Sequence, residues 1–223
     1  MNEDIPEEYR VEHYPNPDER IADGWIHAVG IALASAGGLW LVSAALLSGS
    51  AGLAMAAALY GVALVAMLSF SALYNFSRIG PARPFLRRLD EAGIFLLIAG
   101  SYTPFTSQRL HGAWAVGMTS LVWAIAAAGI ACKFAFPRIS ERAWTAVYGL
   151  YGWIAVAVIW PLITTLPPTA LTLLVLGGAI YTMGSLIFLN PRQKYRRAVW
   201  HGFVCVGASL HFFAIAGSMA LSR

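Results

Sequence analysis

The chain has 223 residues, 58% of them hydrophobic and only 12% charged, with a formal net charge of +4. That is too apolar for a soluble domain of this size to hide in one core, so lipid must be the solvent for most of it. Cys132 and Cys205 both fall in apolar segments, which excludes a secreted disulfide framework, and the Lys and Arg residues lie in short gaps between apolar runs, which excludes a nucleic-acid-binding stripe.

Residues 1–24 come first and hold eight of the eleven carboxylates, with only Arg10 and Arg20 against them. This composition predicts a solvated, weakly ordered cytoplasmic tail. It lacks the basic n-region and short apolar core of a cleavable signal peptide, so the first hydrophobic segment is expected to stay in the mature protein. A bilayer core of about 30 Å takes about 20 apolar residues as a helix. Seven stretches meet that length, at 25–48, 52–76, 90–108, 113–135, 143–164, 169–190 and 198–221. Turn and breaker residues separate them: Ser48-Gly49-Ser50, Gly80-Pro81, His111-Gly112, Pro137, Pro167-Pro168 and Asn190-Pro191. Backbone groups in lipid must pair internally, and no alternating ten-residue strands occur, so helices are the spanning solution. The expected fold is all-α, a bundle of seven transmembrane helices over residues 25–223 behind the acidic tail.

Basic residues are retained on the cytoplasmic side. Thirteen of the fifteen Lys and Arg fall in the tail and in the gaps after helix two, after helix four and before helix seven, which all lie on one face; only Arg109 and Arg223 lie on the other. The N-terminus is therefore expected inside and the C-terminus outside.

In that topology Ser71 and Asn75 end helix two, Asp90 and Glu91 open helix three, and Arg197 and His201 open helix seven, all at the cytoplasmic level. Ionisable groups at membrane depth are costly and tend to face the bundle interior, so their gathering predicts a polar cavity. Simpler readings compete: Asp90 as an N-cap with Glu91 on the helix dipole, and Arg197 as an anchor that snorkels to the interface. Ser71 and Asn75 share a helix face at i, i+4, as do Arg197, His201 and Cys205. His201 with Cys205 is a weak zinc-type pair, because two ligand types alone do not make a site. His211 lies about 15 Å deeper along its helix than His201, where a hydrogen-bonded structural role competes with ligation, and His27 opens helix one at the cytoplasmic end. His13 and His111 invite no assignment.

These residues in order resemble the hemolysin III and adiponectin-receptor (PAQR) family. The similarity runs through Glu19-Arg20 to His27-Ala28-Val29-Gly30, then Ser71 to Asn75, Arg88-Leu89-Asp90-Glu91, Ala99 to Phe105, Tyr151 to Trp153, and Arg197 to His201 followed by His211-Phe212-Phe213. It implies a seven-helix membrane protein of the cell membrane, on the bacterial branch, and the hydrolysis of a lipid amide such as ceramide by a zinc-activated water. The family's zinc is held by one histidine of helix two and two of helix seven. Asn75 and Arg197 stand at two of those positions here, and neither side chain suits zinc, so no zinc of the family's type is expected. Asp90, Ser71 and His201 are the candidate catalytic residues. Asn75, Arg197, His211 and His27 are the candidate cavity residues, with Arg197 and Asn75 expected to face Asp90 in place of the metal. Were a metal held, His201, Asp90 and Cys205 would be its ligands. Three functions stay open: a lipid-amide hydrolase, a metal-free receptor or lipid-binding protein, and a pore-forming cytolysin. Membrane lipids are the expected partners.

Overall fold

The computed structural model describes residues 12–136 and 139–220; residues 1–11 of the acidic tail, together with Pro137, Arg138 and residues 221–223, lie outside the described residues. The described elements are helical: α1 (Pro17–Leu47), α2 (Ala51–Asn75), α3 (Arg83–Gln108), α4 (Gly112–Ala135), α5 (Glu141–Gly152), a 3-10 segment (Ile154–Val158), α6 (Ile159–Thr165), α7 (Pro168–Phe188) and α8 (Arg196–Ala220). Helices α1, α2, α4, α7 and α8 are long and apolar enough to cross a membrane. The run from Glu141 to Thr165 makes a sixth candidate, bent by 59°. The 26-residue α3 is as long, but its first turns carry Arg83, Arg87, Arg88, Asp90 and Glu91.

Three boundaries differ from the hydropathy reading, each for a local reason. Helix α1 begins at Pro17, eight residues before the apolar run, because Asn16 accepts from the Glu19 amide at 3.0 Å, Pro17 takes the first position, and Asp18 and Glu19 suit the positive helix end. Helix α3 starts at Arg83, so Asp90 lies inside the helix and does not cap it. The fifth hydrophobic run breaks near Val158 because Pro161 has no N–H for the carbonyl four residues back and its ring crowds that carbonyl.

Helix α2 packs along both α1 and α3, and α8 along both α7 and α1, while α4 lies against α3. Without a hydrophobic drive between helices in lipid, small residues set such contacts by letting backbones approach. A Cβ on Gly61 would stand 3.2 Å from the Gly38 Cα, and one on Gly93 would stand 3.0 Å from the Met67 Cα. These close approaches set α2 directly against α1 and against α3.

Candidate active site

Helix α1 supplies Asp23 and His27, one turn apart on one face. Helix α2 supplies Ser71 and Asn75 in the same spacing, and α8 supplies Arg197 and His201. Asp23 is 0% exposed, Ser71 2% and His201 5%, so every polar atom there needs a partner. His201 Nδ1 lies 2.6 Å from Asp23 Oδ1 and its Nε2 lies 3.1 Å from Ser71 Oγ. An ionised carboxylate only accepts, which puts the neutral ring's proton on Nδ1 and leaves Nε2 to accept from the Ser71 hydroxyl. Asn75 Nδ2 donates to Ser71 Oγ at 3.2 Å and to the Ser71 carbonyl at 2.9 Å, and Arg197 Nη1 donates to Asn75 Oδ1 at 2.5 Å. Asp90 of α3 sits beside the same Ser71 hydroxyl. The result is a buried carboxylate, imidazole and hydroxyl in line, with an amide and a guanidinium at the hydroxyl end.

Of the residues singled out in the sequence, Ser71, Asn75, Asp90, Arg197, His201 and His27 come together, although not in every expected pairing. Arg197 reaches Asn75, and no ion pair joins it to Asp90 among the described residues; Asn75 donates to Ser71 and not to Asp90. Glu91 turns away to Lys133 at 2.7 Å and Arg87 at 3.0 Å. His211 lies elsewhere, in the notch left by Gly177, with Nε2 3.3 Å from the Leu174 carbonyl. Cys205 packs against Gly30 in the apolar core.

Hydropathy does not reveal Asp23, because it falls in the acidic stretch ahead of the apolar run. Its signal was present as Asp-x-x-x-His behind an Asn-Pro helix start. The metal expectation also needs correcting in its ligands: Asp23, His27 and His201, rather than Asp90 and Cys205 with His201, offer ligand atoms within 4.8 Å of one another. The family's own zinc positions do not fit the metal. Asn75 spends its amide on Ser71 and its carbonyl on Arg197, and the Arg197 guanidinium has no lone pair.

The segment before α1 covers the cluster. Tyr14 donates to Asp23 Oδ2 at 2.5 Å and stacks on Phe76; His13 Nδ1 lies 3.3 Å from the Asn75 carbonyl, and its ring meets Tyr74 edge-on. Beyond this strap opens a polar basin of about 780 Å³ whose wall includes His13, Tyr74, Arg87, Arg196 and Arg197. Ser71 thus lies behind Asn75 and Arg197 as seen from the basin. Burial, then the Arg197 and Arg83 charges, push the His13 imidazole down to about 3, against a backbone bond to Asn75 that raises it. An undocked strap has the ordinary histidine value near 6.5. Below that value the released strap takes up a proton that the docked one refuses, so docking weakens as pH falls from about 6.5 towards 3. Amide exchange over residues 12–16, corrected for its intrinsic rate, is expected to be faster at pH 5.5 than at 7.5 in the wild type and insensitive to pH in His13→Phe.

A multi-pass helical membrane protein with a buried relay of titratable groups shared by three helices is the class that this fold and site define. The chain belongs to the family described as Haemolysin-III related, which matches residues 17–220. It is 32% identical over 197 residues to Hemolysin-3 of Bacillus cereus, covering 88% of this chain and 90% of that one. It is 29% identical over 197 residues to the Hemolysin-3 homolog of Bacillus subtilis, covering 88% and 92%. It is also 27% identical over 163 residues to the human Monocyte to macrophage differentiation factor, covering 70% of this chain and 67% of that protein. No solved structure matches the chain.

Proposed function

We propose that this protein hydrolyses an acyl bond of a membrane lipid, an amide or an ester, by covalent catalysis at Ser71 and without a catalytic metal. The observation that carries the reading is the line from Ser71 Oγ through His201 to Asp23, with contacts of 3.1 Å and 2.6 Å. A nucleophile bonded to a base, and the base bonded to an orienting carboxylate, is the arrangement that acyl transfer requires. Ser71 Oγ attacks the acyl carbonyl as its proton passes to His201 Nε2, and the imidazolium is held by Asp23. The developing oxyanion meets the Asn75 amide and the Arg197 guanidinium, which supply the positive field that zinc would give in relatives. The intermediate collapses as His201 returns the proton to the leaving amine or alkoxide, and Ser71 keeps the acyl group as an ester. Water then attacks that ester, with its proton taken by His201, and the fatty acid leaves with Ser71 restored. Asp90, beside Ser71, is placed to hold that water.

In this reading α3 is a seventh span, with its charged first turns at the cytoplasmic surface. Its packing along α2 and α4 supports this. In the same reading the N-terminus is inside and the C-terminus outside, which the distribution of basic residues supports. A reporter active only in the cytoplasm should work when fused ahead of Met1 and be silent after Arg223; the reverse would overturn the topology. The activity is tested with the full chain in lipid nanodiscs offered lipid amides and esters. Fatty acid release is expected from the wild type and not from Ser71→Ala, and equal release by both would refute the proposal.

A further inference from the structure

We infer that Asp23, His27 and His201 form a divalent transition-metal site, which shares only His201 with the family's zinc positions and whose occupancy switches the Ser71 relay off. The second half of this inference rests on the hydrolase reading above; the first half does not.

Asp23 and His27 project from one face of α1 as an i, i+4 pair, the spacing that lets two helical side chains grip one ion. His201 closes the group from α8, and its ring lies 4.3 Å from that of His27 at 66°. The ligand atoms of the three lie within 4.8 Å of one another, and all three residues are buried. Two imidazoles and one carboxylate are a donor set that zinc and cobalt accept, with a position left open.

A second observation points to a ligand. His27 Nδ1 lies 3.0 Å from the Asp23 carbonyl, which can only accept, so the neutral ring carries its proton on Nδ1. The lone pair on Nε2 is then buried, and no partner meets it among the described residues. Leaving such an atom unpaired costs about 1–3 kcal/mol, and an ion that reaches Nε2 removes that cost; the other nitrogen, Nδ1, lies 3.6 Å from Asp23 Oδ1. The outer partners of a metal site are also present. Tyr14 donates to the second oxygen of Asp23, and Ser71 lies next to the far nitrogen of His201.

The chemical consequence follows from the tautomer of His201. A metal on Nδ1 displaces the proton shared with Asp23, and neutral His201 then carries its proton on Nε2. From there it donates to Ser71 Oγ and can no longer take the hydroxyl's proton. The ion and the nucleophile therefore compete for one imidazole.

The test uses full-length protein in nanodiscs, stripped with chelator and titrated with Co²⁺ or Zn²⁺. Visible Co²⁺ absorption and the metal retained through gel filtration report binding, and a fluorophosphonate probe reports the Ser71 nucleophile. The wild type is expected to hold one ion per chain and to lose at least about tenfold of its labelling rate when loaded. His27→Phe and the smaller change His27→Gln, each checked for wild-type elution, are expected to bind at least about tenfold more weakly, and the labelling rate that each shows when stripped is expected to stay the same when either metal is added. Failure of the wild type to bind, equal binding by both His27 variants, or labelling unchanged or increased by metal would overturn the inference. Binding that depends on His27 in a protein that never labels would leave the metal site standing and remove the hydrolase reading.

Discussion

Asp23→Asn is expected to lower acyl turnover by about 10⁴-fold, the loss that follows when the orienting carboxylate of a serine relay becomes an amide. The carboxylate accepts from His201 Nδ1 at 2.6 Å and is wholly buried, so water cannot stand in for it. An asparagine can turn its NH₂ towards Nδ1, which draws the ring proton to Nε2 and leaves Ser71 facing a donor. Its carbonyl oxygen still accepts from Tyr14, so the strap keeps its anchor. The loss should fall on kcat, with KM little changed, because Asp23 does not face the basin. Asp23→Glu should recover part of the rate. A rate in Asp23→Asn within tenfold of the wild type would show that His201 is not working through Asp23.

Gly100→Leu is expected to cost at least about 3 kcal/mol and to prevent recovery of monodisperse protein, since overpacking costs more when the neighbours cannot move. A Cβ at Gly100 would stand 2.7 Å from the Ala63 Cβ and 3.2 Å from the Leu59 carbonyl oxygen, and neither is the free end of a flexible side chain. The contact fixes α3 against α2. Gly117→Ala is the matched control: a Cβ there meets nothing within 4 Å, and alanine favours helix over glycine by about 1 kcal/mol. Thermal unfolding in detergent should therefore be unchanged or higher in Gly117→Ala and lost or sharply lower in Gly100→Leu.

The sequence made the helical class legible because lipid punishes every unpaired backbone group, and runs of about twenty apolar residues have one economical answer. It was less informative where helices leave the apolar run. Helix α1 extends two turns ahead of Trp25 and α3 two turns ahead of Asp90, through residues too polar for hydropathy to count. The cap at Asn16 and Pro17 was readable, and reading it would have placed Asp23 on the His27 face. The convergence of Ser71, Asn75, Asp90 and His201 was visible from their shared level, but their partners were not. Arg197 was expected at Asp90 because a buried carboxylate calls for a cation. It reaches Asn75 instead, since Asn75 lies on the α2 face turned towards α8. Which side chains meet across three helices depends on how the helices rotate and how closely their glycines let them approach, and no single-helix pattern encodes that.

The most direct test of the account is the fate of a fluorophosphonate probe on metal-stripped protein, mapped by peptide mass spectrometry. One covalent adduct per chain is expected on Ser71 Oγ, absent in Ser71→Ala and at least about 10³-fold slower in His201→Ala, whose hydroxyl has no base to take its proton. Lipid hydrolysis by a folded wild-type chain that leaves Ser71 unmodified, or labelling of Ser71 at the same rate in His201→Ala, would contradict the account.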